Sequence, residues 1–177
     1  GEITMPQDLY KLPQGWEWNS VSDVAENIVS GFACSKKHEA ADGYVHLRTH
    51  NVDTNGNLNF DKVIKISADM VDQKKSSIRK GDILFNNTNS QELVGKTCLV
   101  EEDYEYGFSN HITRIRVRDN IFPSFFVYYF NNLHRKEYLG QICKRWIGQA
   151  GINTTVLKEI QIPLPPLGEQ ERIVEKL

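Results

Sequence analysis

The chain has 177 residues and carries 21 Lys plus Arg against 23 Asp plus Glu, a net charge of −2. Its 40% hydrophobic and 10% aromatic content suffices for one packed domain with a short appendage, and six prolines and twelve glycines are an ordinary load, so a disordered chain is excluded. No apolar run reaches membrane-span length and no signal-peptide pattern is present, while Cys34, Cys98 and Cys143 lack metal spacing and read as reduced thiols of a cytoplasmic protein.

The charge balance argues against a simple nucleic-acid binder, which usually carries a basic excess. Four acids, Glu101, Glu102, Asp103 and Glu105, cluster around Tyr104 and read as a solvated acidic loop. Without them the residues up to Ile160 are basic on balance, so a basic face with the acids kept elsewhere fits the composition.

Residues 1–11 lack periodicity and predict a loosely held arm. Trp16 and Trp18 share one face of an extended segment and read as core anchors. Residues 22–27 predict a short helix or turn capped by Ser22. Residues 44–52 alternate, with Val45 and Leu47 on one side and His46, Arg48 and His50 on the other, which predicts a half-buried strand. Asn55-Gly56 predicts a hairpin turn, with residues 58–66 as the return strand. Gly81-Asp82 reads as a turn before an apolar strand at 83–85. A polar loop at 86–92 then leads to a strand at 97–100. Residues 111–118 alternate again, with Arg114, Arg116 and Arg118 on one face and Ile115 and Val117 on the other.

Pro123 suits the first turn of a helix, and Phe125, Phe126, Tyr129, Phe130 and Leu133 form an apolar stripe at helical spacing that reads as core. A second helical stretch is predicted at 136–146 and a loop at 147–154. At the chain's end, Pro163, Pro165 and Pro166 fix an extended path. After them Leu167, Val174 and Leu177 recur at heptad spacing, with Gln170 at the fourth seam position and Ile173 beside it. Such a stripe seeks a partner. The sum is an α+β fold: a mainly antiparallel twisted sheet, one packed aromatic helix and a projecting amphipathic, coiled-coil-forming C-terminal helix. Residues 1–160 form the body and 161–177 a Pro-rich junction with the start of the helix.

Catalytic chemistry is missing from the sequence. There is no Gly-rich phosphate loop, no dinucleotide fingerprint, no S-adenosylmethionine glycine motif and no Asn-Pro-Pro-aromatic motif of adenine-methylating enzymes. His46 and His50 are the only His pair at that spacing, without Cys or acid to complete a metal set. A binding surface is the better expectation. Duplex reading needs donors and acceptors aimed at base edges, Arg for guanine and Asn or Gln for adenine, with Lys and small polar groups on phosphates. The candidates are Lys36 and Lys37; His46, Arg48 and His50 with Asn51; Asn86, Asn87 and Thr88; Ser109, Asn110 and His111; Arg114 and Arg116; Lys144 and Arg145; and Gln149 and Asn153. Arg48, on the polar face of its strand, is a candidate for a bidentate base contact, and the Arg114, Arg116 and Arg118 stripe suits phosphate or a solvated strand face.

Several stretches carry a family resemblance. QIPLPPLGEQERIV at the end resembles the segment that joins a target-recognition domain to a spacer helix in the DNA-specificity subunits of type I restriction-modification systems. LPQGWEW from Leu12 resembles the opening of that family, and LRTHNV, GDILF with VGK, and QAGIN follow in the family's order. The chain departs at Val21-Ser22, where the family has Leu-Gly, and in the loop after GDILF.

The resemblance implies one reading head of a specificity subunit, without catalysis or cofactor of its own, that recognises half of a split site in double-stranded DNA. S-adenosylmethionine would sit on partner modification subunits, and a restriction subunit would complete the assembly. Leu167, Ile173, Val174 and Leu177 would meet the other half of the subunit or a second copy of this chain. Gly81, Asp82, Gly95, Gly151, Pro163, Pro165 and Glu169 carry over as structural residues. A protein–protein module without DNA affinity is the alternative reading of the acid balance and the partner-seeking helix; a DNA-modifying enzyme is the third.

Overall fold

A computed structural model describes residues 7, 9–146 and 149–177, without the side chains of Arg145 and Trp146. Residues 1–6 and 8 of the expected arm, and Ile147 and Gly148 of the expected loop, lie outside the described residues. The first part of the chain forms β1 (Glu17–Ser20), α1 (Val21–Val24), β2 (Ala25–Ser30), β3 (Glu39–Leu47) and β4 (Lys65–Ile66). The middle forms β5 (Ile83–Asn86), β6 (Thr88–Asn89), β7 (Thr97–Leu99), β8 (Gly107–Phe108) and β9 (Ile112–Val117). There follow α2 (Pro123–Arg135), α3 (Tyr138–Ile142), β10 (Lys144–Trp146), β11 (Gln149–Gly151), α4 (Thr154–Glu159), β12 (Gln161–Leu164) and α5 (Leu167–Glu175). The α+β class expected from the sequence is the class the chain adopts.

The central sheet has the order β2-β9-β5-β7, every neighbour antiparallel. It is covered on both faces, which is why all four residues of β5 are buried. Ile83 and Phe85 point into a core shared with Phe126 and Phe130 of α2, and those two rings stack at 4.4 Å. Leu84 points the other way, into a second core with Leu47, Val52, Ile78, Cys98, Phe108 and Ile112. A smaller sheet, β4-β3-β8, roofs this second core, with β3 and β8 parallel.

That roof changes the expected pattern. Arg114 and Arg116 share their face of β9 with Ile112, and the second layer buries Arg114 while Arg116 stays half-exposed and Arg118 exposed. Alternation also misassigned β3. The strand ends at Leu47, His46 is 1% exposed, and Arg48 already begins a 3-10 turn at Thr49–Asn51.

Other differences are local. Asn55-Gly56 does turn the chain, with Gly56 at φ +87°, but the return strand shrinks to Lys65–Ile66. The cap of α1 is Ser20, not Ser22, because Ser20 and Asp23 satisfy each other's backbone N–H groups in a capping box. The second helical stretch stops at Ile142, and residues 144–146 pair as a strand with 149–151. The arm is tied where it is described: the Gln7 amide exchanges two hydrogen bonds with the Gln161 backbone, both 2.7 Å.

The Pro-rich junction begins inside the body, since β12 pairs antiparallel with β1 and sets Trp18 opposite Pro163. Trp16 and Trp18 are half-buried rather than core. Trp16 donates to Glu169 on α5 at 3.3 Å and Trp18 to the Tyr10 carbonyl at 3.1 Å. Helix α5 does not project free along its first turns. It packs against α2, with Gln170 fully buried and Ile173 and Val174 half-buried against the main core, while Leu167 is 48% and Leu177 66% exposed.

Candidate nucleic-acid interface

One end of the central sheet collects most of the candidate residues. Strand pairing sets Ser30 opposite Thr113, Phe85 opposite Thr113 and Asn86 opposite Ile112, so β2 and β5 end where β9 begins. The segments that run on from these ends are stitched together. Gly31 donates to the Ile112 carbonyl, Ser109 to that of Leu47, Asn87 to that of His111 and Ile152 to that of Asn87. A Cβ at Gly31 would strike the Phe108 and Ser109 carbonyls, so only glycine lets the chain cross there. The β6 strand then adds Thr88 and Asn89 to the β10–β11 hairpin, with Thr88 opposite Gly151. Loop 31–38, the Ser109–His111 corner, β6 and the β10–β11 hairpin therefore form one rim.

The rim is rich in donors and poor in acid. Segments 27–38, 86–91, 107–118 and 143–158 contain no Asp or Glu. Lys36, Lys37, Asn110, Lys144 and Gln149 are exposed on it, and Thr88, Asn89 and His111 are half-exposed. The acids that make the chain net negative lie at the other end. Ile78 pairs with Tyr104, Asp103 accepts the Lys80 N–H at 2.8 Å, and Glu105 pairs with Arg79 at 2.8 Å, all before β5 begins.

The remaining candidates divide by what already holds them. Asn86 spends its amide on the Thr88 and His111 carbonyls, and Asn87 on the Asn110 carbonyl and the Thr113 hydroxyl. Both shape the rim from inside. Ser109 is 8% exposed and holds the His111 N–H. Asn153 caps α4 through the Val156 N–H. Asn51 is buried, accepting the Arg48 N–H and donating to the Asn59 and Lys62 carbonyls, and His50 bonds the same Lys62 carbonyl. The backbone of Arg145 lies in β10, and its side chain is outside the described residues.

Two expectations about arginines are corrected. Arg114 is 6% exposed, donates to Ser77 O and Asn27 Oδ1, and lies 5.8 Å over the Phe108 ring. Arg116 forms a two-pronged ion pair with Asp82 at 2.8 and 2.9 Å, at the sheet end opposite the rim. It lines a cleft of about 660 Å³ with Asp82, Arg118, Leu167 and Glu171. Both guanidinium groups thus already have protein partners.

The family of proteins described as the type I restriction modification DNA specificity domain matches residues 13–177. The chain belongs to this family. A Methanocaldococcus jannaschii protein assigned by name to the MjaX type I restriction enzyme as its specificity subunit is 30% identical over 177 residues, 96% of this chain and 40% of the relative. The specificity subunit of the Escherichia coli type I restriction enzyme EcoKI is 25% identical over 175 residues, 94% of this chain and 36% of the relative. The chain thus spans 40% or less of the length of these relatives. The crystal structure of the HsdS subunit from Thermoanaerobacter tengcongensis superposes with a TM-score of 0.70 at 23% identity, over 97% of this chain and 38% of that one. A chain from a study of assembly of the type I R-M system gives 0.72 at 22%, over 97% and 39%. These likenesses show the fold.

Within this specificity domain the residues carried by the resemblance hold the architecture. Gly95 has φ +94° and leaves room for the Leu139 side chain, Asp82 anchors Arg116, and Glu169 receives Trp16. Sequence reasoning misses Ser30, Phe32, His38 and Asn89 as rim residues. Their sequence neighbours are among the candidates, but only non-local pairing shows that these four loops meet.

Proposed function

We propose that this domain recognises one half of a split target in double-stranded DNA for a type I restriction-modification enzyme, with the rim at the β5–β9 end facing the duplex. The observation that carries this reading is the convergence of four acid-free segments at one edge, with Lys36, Lys37, Asn110, His111, Lys144 and Gln149 outermost and the acidic cluster at the far end. Lysines of this kind neutralise phosphates, while Asn, Gln and His suit base edges. The domain makes no chemistry of its own. S-adenosylmethionine belongs to partner modification subunits and cleavage to a restriction subunit, all acting on DNA in the cytoplasm. Helix α5 continues into a spacer that meets the other half of the subunit or a second copy.

The test uses the assembled enzyme. Its methylation sites are mapped in cells, and then mapped again with this domain replaced by one from a relative. The reading requires one half of the target to change and the other to stay. The purified complex must bind duplex DNA with a steep salt dependence. Salt-independent or absent binding returns the domain to the protein–protein reading.

A further inference from the structure

We propose that Arg48 and His46 are positioning residues that hold the Lys36–Lys37 turn in place at the rim, and that neither touches DNA itself. The inference rests on the DNA-reading function proposed above. Its basis is a short relay of hydrogen bonds. His46 Nε2 lies 2.9 Å from the Phe32 carbonyl oxygen. A carbonyl only accepts, so Nε2 carries the hydrogen and Nδ1 is the bare nitrogen. Nδ1 then accepts from Arg48 Nε–H at 2.8 Å, and Arg48 Nη2 donates to the Cys34 carbonyl at 3.3 Å. Two carbonyls, two residues apart on one loop, are thus held from the end of β3.

The rest of the loop explains why this matters. Phe32 is fixed by its N–H to the Phe108 carbonyl at 2.9 Å and by its ring against His46, 4.7 Å between centroids. Beyond Cys34 the chain makes the turn Lys36–His38, and Ser35 gives that turn no side-chain cap. Its far end is fixed by the Ser67 N–H on the His38 carbonyl and by Glu39 opposite Ile66. The near end depends on the His46–Arg48 relay. Both ring nitrogens of His46 are spent and the residue is 1% exposed, so it has nothing left for a base. Burial pushes its pKa down to about 4, which keeps Nδ1 bare at neutral pH. Arg48 is held by a carbonyl and a neutral imidazole, and among the described residues it has no ion pair, so its hydrogen-bonding capacity goes to the loop.

The test is a double-mutant cycle on the assembled enzyme, read as affinity for a duplex carrying its mapped methylation site, at several salt concentrations. Lys36→Ala with Lys37→Ala should weaken binding and reduce the salt slope by about two, one for each phosphate no longer neutralised. Arg48→Ala should weaken binding about tenfold in the unaltered background and less than twofold in the lysine-deficient one. His46→Gln keeps one donor and one acceptor and should retain most of the affinity, whereas His46→Leu should match Arg48→Ala. Additive losses would mean that Arg48 contacts DNA directly and overturn the proposal. So would an Arg48→Ala enzyme that binds normally while the lysine variant does not. If the lysine variant itself binds normally, the proposal falls while the DNA reading stands. Failure of the unaltered enzyme to bind DNA sinks the DNA reading, a distinct result.

Discussion

The side chain of Gln170 caps helix α2 at Phe122, the residue before its first turn. Its carbonyl accepts the Phe122 N–H at 2.8 Å, and its amide donates to the Asn120 and Pro165 carbonyls at 3.1 and 2.9 Å. Phe122 has no side chain able to cap α2, so a residue 48 positions later does it. This is why a glutamine occupies a seam position of an otherwise apolar stripe: it joins α5 to the body.

Replacing Gln170, itself fully buried, with Ala leaves the Phe122 N–H and the Asn120 and Pro165 carbonyls without their partner. We expect a loss of about 2–3 kcal/mol in stability, since an unmet buried polar group costs about 1–3 kcal/mol. Urea denaturation of the chain measures this directly. A change below roughly 0.5 kcal/mol would mean that water replaces the amide and that α5 is not locked to α2.

The Asp82–Arg116 pair gives a second stability prediction. The Asp82 side chain is 2% exposed and also accepts the Arg79 N–H, while that of Arg116 is 36% exposed. Arg116→Ala leaves a buried carboxylate short of its counter-charge. Breaking a fully buried pair costs about 3–5 kcal/mol, and solvent at the Arg116 end lowers the expectation to about 2–3 kcal/mol. The same variant should leave the salt dependence of DNA binding by the assembled enzyme unchanged, because Arg116 sits at the end away from the rim. A flattened salt slope would make Arg116 a phosphate contact after all.

Stability should also depend on pH through His46. Desolvation by burial lowers its pKa from 6.5 to about 4, with the charge of Arg48 adding to the effect and the hydrogen bond to Phe32 opposing it. Between those two values the unfolded chain binds a proton that the native chain refuses. Stability is therefore fully present above pH 6.5 and falls as the pH drops toward 4, by at most about 1.4 kcal/mol per pH unit. Urea midpoints from pH 7 to 4.5, compared with His46→Gln, isolate this contribution. Parallel curves for the two proteins would show that His46 protonates freely in the native state.

How far the sequence can be read depends on whether a pattern is local. The stripe of Phe125, Phe126 and Phe130 closes within one helix, so spacing alone places it. The alternation of 111–118 locates its strand, that of 44–52 only overlaps one that ends at Leu47, and neither locates solvent. A period of two says which residues share a face and says nothing about a second layer arriving from elsewhere. Loop 31–38 and β8 cover His46, and the Phe108 ring of the roof lies against Arg114. The Asp82–Arg116 pair spans 34 residues and the Trp16–Glu169 contact 153, so no window of sequence shows either. The rim itself is legible only in pieces: its loops stand out for their Lys, Asn and His, and the absence of acid in all four acquires meaning once pairing brings them to one edge.

The last prediction concerns the apolar stripe of α5, whose residues the structure separates into two groups. Ile173 and Val174 are half-buried against the main core, whereas Leu167 and Leu177 are 48% and 66% exposed. A charged residue at Ile173 or Val174 should therefore disturb the docking of α5 on α2 and lower stability, by about 1–3 kcal/mol for a charge placed at a half-buried apolar site. Leu177→Asp should leave stability within roughly 0.5 kcal/mol, as exposed substitutions usually do. Its effect should appear in association instead. The spacer helix proposed to continue from α5 buries another pair of seam residues with every added heptad, and Leu177 is the exposed seam residue nearest that continuation. Sedimentation of a chain extended through the rest of the helix, over a range of concentrations, should show a complex that Leu177→Asp weakens and Ile173→Asp weakens only in step with unfolding. An extended chain that stays monomeric with and without its partner subunits would show that α5 serves only to brace α2.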